Sequence, residues 1–199
     1  MIMGVETTIL AALMGLSLAS ASGFRVFLPP FILSLAVRTD TFVNLDLSGT
    51  EFAAFDSNAA VIVLGIACLA EFGAYYVPWL DNLLDTIATP AAVVSGVSMT
   101  SMALVGSDPI IQWSFAIIAG GGSAGIIQVT TVAIRGLSST LTMGFGNSFV
   151  ASGENIASVI LTIAALIAPL IAAIFAVILV ALLIRQSIKI TAEKSTQGT

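Results

Sequence analysis

Ionisable side chains are scarce in this sequence, and histidine is absent. Asp, Glu, Lys and Arg together make up 9% of the 199 residues, whereas a soluble domain carries about 25%. Without histidine the chain has no histidine-ligated metal site, and its single cysteine, Cys68, excludes an intrachain disulfide. The 6 basic residues are scattered along the chain, which excludes a nucleic-acid-binding surface and therefore nucleic acid as a partner.

Long apolar stretches fill most of the sequence. Hydrophobic residues make up 58% of the chain, and the mean hydropathy is +1.10. Because about 20 consecutive apolar residues cross a lipid bilayer as a helix, the chain is long enough for several crossings. We therefore predict an all-α fold, a polytopic transmembrane helix bundle of about six membrane helices, some of them broken or kinked, that forms a single domain over residues 1–184.

Prolines, glycines and polar clusters divide the apolar stretches. Gly23 and the pair Pro29-Pro30 split the first stretch into two helices, and the prolines either kink or start the second one. Residues 39–58 form the one sizeable polar loop, and residues 185–199 form a polar tail. The six predicted helices span residues 8–22, 24–38, 59–80, 90–105, 110–135 and 154–184.

A segment rich in Gly, Ser and Thr, residues 136–153, precedes the last predicted helix and is expected to be a loop. Glu154 follows this segment. Because a negative charge is favourable at a helix N-terminus, we interpret Glu154 as a cap of the last helix. That helix is too long for one straight crossing, so we expect it to be tilted, kinked at Pro169, or protruding.

The distribution of basic residues predicts the orientation in the membrane. With six crossings, both termini and the loop at residues 39–58 lie on one side, together with Arg38, Arg185, Lys189 and Lys194. Because basic segments face the cytoplasm, we predict a multi-pass protein of the inner cell membrane with both termini in the cytoplasm. The lipid bilayer surrounds it, and assembly into a homo-oligomer stays open.

The charged residues Glu71 and Arg25 fall within predicted membrane helices. Glu71 is preceded by a long apolar run, and Arg25 follows a series of small residues that ends at Gly23. A charge at membrane depth costs about 3 kcal/mol, so each of these residues needs a partner, a cavity or a function. Tyr75 lies one helical turn after Glu71 and therefore on the same face. We interpret all three as contacts for a solute or ion; the alternative is a structural ion pair between Glu71 and Arg25.

Further polar residues cluster at the end of the third predicted helix. Asp81 and Asp85 are one helical turn apart, and Asn82 lies beside them. Their oxygen atoms suit a monovalent or divalent cation, or a proton relay. If the chain holds a metal, we expect it at Asp81 and Asp85, and we predict no organic cofactor. The alternative is that these are interfacial residues, one of which caps the following helix.

A stretch of small residues interrupts the fifth predicted helix at Gly121, Gly122, Ser123 and Gly125. Such a stretch is either a backbone break that lines a cavity or a surface for close helix packing. The first apolar stretch carries a similar interruption before Arg25. Interrupted hydrophobic segments in two halves of a chain are typical of transporters, but coincidence in an apolar sequence is the favoured explanation.

Several stretches resemble a family of small bacterial multi-pass membrane proteins known only as a domain of unknown function: residues 15–17 with 23–29, then 71–76, 78–90 and 119–125. The most distinctive of them is the Pro-Trp-x-Asp-Asn-x-x-Asp-Thr motif that begins at Pro78. The resemblance covers nearly the whole chain apart from the polar tail. It implies membrane residence and a compact helical unit, and it implies no reaction or substrate.

The ionisable groups inside an apolar bundle favour a membrane transporter or channel for a small solute, either a cation or a substrate coupled to a cation or proton. In this hypothesis Glu71, Asp81 and Asp85 bind the ion or proton, and Arg25 supplies the countercharge. One alternative is an accessory or structural subunit of a membrane complex. Another is a membrane enzyme that acts on a lipid-linked phosphate with Mg²⁺, although such sites need more Lys and Arg than this chain has.

Overall fold

The chain is helical throughout most of the part that the structure describes. The computed structural model describes the backbone of residues 4–43, 45–74, 78–143 and 145–197, and the side chains of the same residues except 78–85 and 186–197. The helices are α1 (Val5–Ser22), α2 (Leu28–Arg38), α3 (Asn58–Ala74), α4 (Pro78–Ala103), α5 (Pro109–Phe115), α6 (Gly122–Thr142), α7 (Asn147–Ile167) and α8 (Pro169–Gln197), with a 3₁₀ turn (Ala53–Phe55) before α3 and a π-helix (Ala116–Gly121) between α5 and α6. No strand occurs among these residues, so the predicted all-α fold is confirmed.

Several helices are long and apolar enough to cross a membrane. There are four of these among the described residues, Val5–Ser22, Thr86–Ala103, Pro109–Thr142 and Asn147–Ile167, and three shorter apolar helices accompany them. The outer faces carry large apolar side chains, such as Ile118, which is 77% exposed, and Leu69, which is 72% exposed. Such a surface is favourable in lipid and unfavourable in water. The chain is therefore a helical membrane protein.

Helix α1 lies at the centre of the bundle. It contacts α4, α6, α7 and α8, and the residues from Ser17 to Ser22 are all buried. Small side chains allow neighbouring backbones to approach closely. A Cβ atom at Gly15, for example, would lie 2.9 Å from Thr100 Cα, and Thr100 Oγ1 donates a hydrogen bond to the Gly15 carbonyl at 3.1 Å. The small residues of α1 therefore hold α4 close to the centre.

A bend, residues 23–27, joins α1 to α2. Gly23 faces α6 so closely that a Cβ atom there would lie 2.7 Å from Ile127 Cβ. Pro29 and Pro30 lie in the first turn of α2, where the missing N–H of proline costs no helical hydrogen bond. Of the two predicted roles for the prolines, the structure therefore shows that they start α2.

The polar loop between α2 and α3 covers one end of the bundle. Ser34 Oγ on α2 donates a hydrogen bond to the Phe55 carbonyl at 2.6 Å. Phe52 is buried, and its ring centroid lies 6.4 Å from that of Trp113 on α5. Asp108 caps α5 by accepting a hydrogen bond from Ile110 N at 2.9 Å. The loop and the start of α5 therefore form one packed layer at this end.

Several helix boundaries differ from the prediction. Helix α4 begins at Pro78 and runs through Pro90, whereas the prediction starts this helix at residue 90. Helix α6 continues to Thr142, and α7 begins at Asn147, so most of the predicted loop at residues 136–153 is helical. Gly, Ser and Thr have low helix propensity, but propensity is a weak indicator that packing between helices overrides.

Helices α7 and α8 form a hairpin where the sequence predicts one tilted or kinked helix. Ala168 between them is not helical, with φ −141° and ψ 67°. Both helices contact α1 and each other, and Ile184 of α8 lines the same groove as Ile126 of α6, so α8 runs back along α1. Because α5, the π-helix and α6 are continuous, the described residues form seven separate helices instead of about six.

Candidate functional site

Four charged side chains among the described residues are buried inside the bundle. Arg25 in the bend, Glu71 on α3, Arg135 on α6 and Glu154 on α7 have exposed fractions of 0%, 6%, 1% and 5%. Two of these side chains are positive and two are negative, so their charges balance. Because an uncompensated charge at membrane depth costs about 3 kcal/mol, this charged cluster is stable only where opposite charges lie close together.

Glu154 lies between the two arginines. Its Oε2 atom lies 3.0 Å from Arg25 Nη1, and its Oε1 atom lies 3.4 Å from Arg135 Nε. The carboxylate therefore connects α7 to both the bend and α6. The interpretation of Glu154 as a helix cap is wrong, because α7 begins two turns earlier, at Asn147.

Arg25 attaches the bend to α7. Its Nη2 atom donates a hydrogen bond to the Ala151 carbonyl at 2.8 Å, and its Nε atom donates to Asn155 Oδ1. Together with Glu154, these partners lie on successive turns of one face of α7. Ser158 Oγ continues the contact by donating to the Ala21 carbonyl at 3.0 Å. Several bonds therefore fix the position of the Arg25 side chain.

Glu71 stabilises the bend from the side of α3. Its two carboxylate oxygens accept hydrogen bonds from the backbone N–H groups of Val26, at 2.7 Å, and Phe27, at 3.0 Å. These groups stand at the N-terminus of α2, where helical N–H groups have no intrahelical partner and the helix dipole is positive. Glu71 therefore caps α2 from another helix. The sequence suggested ion binding or an ion pair for Glu71 and did not suggest this role.

A groove of about 470 Å³ lies beside the charged cluster, between α2, α3 and α4. Its lining is mostly apolar, but it includes Val26 and Phe27, whose N–H groups bind Glu71, and the hydroxyl-bearing Ser95 of α4. Ser95 Oγ donates a hydrogen bond to the Val26 carbonyl at 2.9 Å. The groove therefore shares two residues with the Glu71 contact.

One face of α6 carries buried polar side chains. Gln128, Thr131 and Arg135 are spaced at helical intervals, and all three are buried. Gln128 is 1% exposed, and its Nε2 atom has no hydrogen-bond partner among the described residues. A buried donor without a partner destabilises a protein by about 1–3 kcal/mol, so this amide is available to a further acceptor.

The stretch of small residues is helical, without an unwound segment. Residues Ala116–Gly121 form a π-helix, and Gly122 begins α6. A Cβ atom at Gly120 would lie 2.7 Å from the Gly96 carbonyl oxygen, and one at Gly125 would lie 3.1 Å from a Val93 methyl group. Of the two predicted roles, the structure therefore shows close packing, here against α4.

The predicted members of this stretch have different surroundings. A Cβ atom at Gly121 would lie 3.0 Å from Val97 Cγ2, whereas one at Gly122 would meet nothing within 4 Å. Ser123 Oγ donates to the Gly120 carbonyl at 3.1 Å. A π-helix within an α-helix is frequent at functional sites, and this one lies between α1 and α4.

Other predicted site residues lie outside the described side chains. Tyr75 is outside the described residues altogether, and Asp81, Asn82 and Asp85 lie on the first half of α4 without described side chains. The predicted cation site at the two aspartates therefore stays a prediction. Among the side chains that the structure does describe, no three Asp, Glu or Cys groups lie close enough to hold a metal ion.

Sequence reasoning did not identify Arg135, Asn155 and Gln128 as members of the site, and it gave Glu154 a different role. The sequence contains a pattern that indicates Gln128, Arg135 and Glu154 as interior residues. Polar residues recur at helical spacing in two apolar spans, as Gln128-Thr131-Arg135 and as Glu154-Ser158-Thr162. Polar residues on one side of an otherwise apolar helix predict that this side faces the interior of the bundle.

A family model described as "Domain of unknown function (DUF4126)" matches residues 12–189. No curated protein and no solved structure matches the chain.

Proposed function

The chain belongs to this family of unknown function, and we propose that it is a membrane transporter or channel for a small solute. The charged cluster of Arg25, Glu71, Arg135 and Glu154 is the observation that supports the proposal. Buried ion pairs can often be replaced by apolar side chains without loss of stability. Packing alone therefore does not account for four buried charges, whereas ionisable groups at membrane depth are typical of solute and ion pathways.

The groove between α2, α3 and α4 would be the path by which a solute reaches the charged cluster. It has the volume of a small-molecule site, and Val26 and Phe27 connect it to the carboxylate of Glu71. A solute in the groove would lie next to the bend. The charged cluster would then be the innermost part of its binding site, with Arg25 as the countercharge.

Coupling to a cation or proton is part of the proposal. If a proton or cation neutralises Glu71, the N-terminus of α2 loses its charged acceptor, which weakens the two hydrogen bonds that hold the bend. Asp81 and Asp85 on α4 are the further candidates for the ion. Uptake of the ion at Glu71 would therefore change the conformation of the bend between α1 and α2.

The test is flux through the purified full-length protein in liposomes, measured with a broad panel of ions and small solutes. We expect Glu71→Gln and Asp81→Asn each to reduce the flux at least about tenfold, which corresponds to about 1.4 kcal/mol in the barrier. Glu51→Gln is the matched control, because Glu51 is an exposed acid of the polar loop, and it should leave the flux unchanged.

Both site variants must first elute as folded protein in size-exclusion chromatography. If the folded variants transport every solute at the rate of the unchanged protein, then these acids have no part in transport. If the unchanged protein transports nothing in the panel, the transport proposal itself fails. In that case the accessory-subunit and Mg²⁺-enzyme alternatives become the leading ones.

We further propose that the protein lies in a bacterial inner membrane with its C-terminal tail in the cytoplasm and its polar loop, residues 39–57, outside. The hairpin of α7 and α8 adds one reversal to the predicted six crossings, so the two termini fall on opposite sides. Arg185, Lys189 and Lys194 lie at the C-terminal end, and basic segments face the cytoplasm. This proposal replaces the expectation that both termini are cytoplasmic.

Cysteine labelling in intact cells tests this orientation. In a Cys68→Ser background, a membrane-impermeant maleimide should label Ser48→Cys from outside and Ser195→Cys only after permeabilisation. If the maleimide labels both positions before permeabilisation, or neither, then both lie on the same side of the membrane. The chain would then have six crossings and not seven.

A further inference from the structure

The surroundings of Glu154 bear on the chemical class of the solute. We propose that the solute is a small oxyanion, of the carboxylate or phosphate class, which binds to Arg25 and Arg135 in place of the Glu154 carboxylate. This inference rests on the proposed transport function and makes it more specific. In the solute-free state, Glu154 occupies the site that the solute takes.

The carboxylate of Glu154 is itself an oxyanion between two arginines from different parts of the bundle. It lies 3.0 Å from Arg25 Nη1 and 3.4 Å from Arg135 Nε. Guanidinium groups bind carboxylates and phosphates through paired N–H donors, with a geometry that an ammonium group lacks. The chemistry that holds Glu154 is therefore the chemistry that would hold a carboxylate or phosphate solute.

The two arginines hold Glu154 unequally. Arg25 is fixed by the Ala151 carbonyl and by Asn155 in addition to Glu154. The distance from Arg135 to Glu154, 3.4 Å, exceeds the usual range for an N–H···O hydrogen bond, about 2.7–3.2 Å. A contact of this length is easier to exchange. In the proposed site, the 3.4 Å contact between Arg135 and Glu154 is therefore the one that the solute replaces first.

Gln128 offers a further donor on the same side of α6. It lies two helical turns before Arg135, on the same face, and its buried Nε2 atom has no acceptor among the described residues. An oxyanion has more acceptor positions than two arginines fill. A bound solute with an oxygen atom near Gln128 would give this amide the acceptor that the described residues do not provide.

The balance of charge favours an anion together with a proton. The described charged groups around Glu154 are Arg25 from the bend, Arg135 from α6 and Glu71 from α3, and the oxygens of Glu71 are bonded to α2. If Glu154 takes up a proton and a monoanion takes its place at the arginines, the net charge of the interior is unchanged. A cation at the same position would meet two arginines. One proton would therefore accompany each monoanion.

The experiment measures thermal unfolding of the purified full-length protein in detergent, followed by tryptophan fluorescence. Sodium acetate, choline acetate and sodium phosphate are titrated against sodium chloride at equal ionic strength. We expect acetate or phosphate to raise Tm with a saturable dependence on concentration, whichever cation accompanies it, because a ligand that binds only the native state stabilises it. Chloride should give no saturable increase.

Variants assign the effect to the site. Glu154→Gln removes the intramolecular competitor and should increase the affinity for the anion at least about tenfold, or about 1.4 kcal/mol. Arg135→Gln should abolish the anion-dependent increase in Tm. Arg38→Gln, at an exposed arginine outside the cluster, is the matched control and should respond like the unchanged protein. If Glu154→Gln does not fold, Glu154→Asp, which shortens the side chain by one methylene, should also increase the affinity.

Several outcomes would overturn the inference. One is that acetate and phosphate do not raise Tm in either the unchanged protein or the folded Glu154 variant. Another is a higher Tm in phosphatidylglycerol nanodiscs than in phosphatidylcholine nanodiscs, with no effect of acetate or phosphate on Tm. The site would then bind a lipid headgroup and not a free anion. Flux of a cation without anion binding would defeat the oxyanion inference alone. Anion binding without any flux would keep the site and defeat transport.

Discussion

Helices α7 and α8 are both apolar and both pack against α1, but they bury different kinds of side chain. On α7 the buried face includes the polar residues Asn147, Glu154, Ser158 and Thr162. On the described part of α8 the buried residues are the alanines Ala172, Ala173 and Ala176. One helix therefore meets the centre of the bundle through charges and hydrogen bonds, and the other meets it through close apolar contact.

This difference shows that hydropathy alone does not separate a helix that carries a site from one that only completes the bundle. Both helices contribute long apolar segments to the membrane. The spacing of the few polar residues distinguishes them, because Glu154, Ser158 and Thr162 recur at one helical turn and therefore share a face. The described segment of α8 before Arg185 has no such series.

The largest effect is expected when the main partner of α7 is removed. Arg25→Ala leaves the Glu154 carboxylate without its 3.0 Å contact and leaves the Ala151 carbonyl without its donor. We expect a loss of about 3–5 kcal/mol in the free energy of unfolding, the effect of breaking a buried ion pair. Denaturant unfolding in detergent measures it.

The matched control lies on α8. Phe175→Ala truncates a side chain that is 60% exposed, and surface truncations change stability by about 0.5 kcal/mol or less. If the two variants lose equal stability, α7 and α8 contribute to the bundle in the same way, and the comparison between them does not hold.

A smaller effect is expected at Ser158, where α7 meets α1. Ser158→Ala removes the hydrogen bond from Oγ to the Ala21 carbonyl, 3.0 Å long, and hydrogen bonds between membrane helices contribute about 0.6 kcal/mol. The same unfolding measurement resolves it. Thr130→Val is the control, because Thr130 Oγ1 donates to the Ile126 carbonyl within its own helix, and its effect should be smaller. The reverse order would show that hydroxyl groups do not connect α7 to α1.

The sequence predicted those parts of the fold that depend on local chemistry. Gly23 and the proline pair divide α1 from α2, and α5 begins at Pro109, one residue before the predicted start. The prediction of a loop at residues 136–153 is wrong, because most of this segment is helical. The low helix propensity of Gly, Ser and Thr is a weak indicator that tertiary packing overrides.

The site was predicted less well than the fold, for a different physical reason. The cost of burying charge correctly marked Arg25 and Glu71 as interior residues, and both are buried. It does not say which opposite charge lies beside each of them, since helical periodicity defines a face and not its neighbour. The Arg25 contact with Glu154 and the Glu71 contact with α2 both depend on how the helices pack.

The capping of α2 by Glu71 has a mechanical consequence for α3. Only Cys68, Glu71 and Ala74 of α3 are buried, and all three lie in its last two turns. At this end Glu71 accepts hydrogen bonds from the peptide groups where the chain turns between α1 and α2. At the other end, Arg38 Nε of α2 donates a hydrogen bond to Asn58 Oδ1 at 3.1 Å. Helices α2 and α3 are thus bonded to each other at both ends, so a movement of α3 would carry α2 and the turn before it.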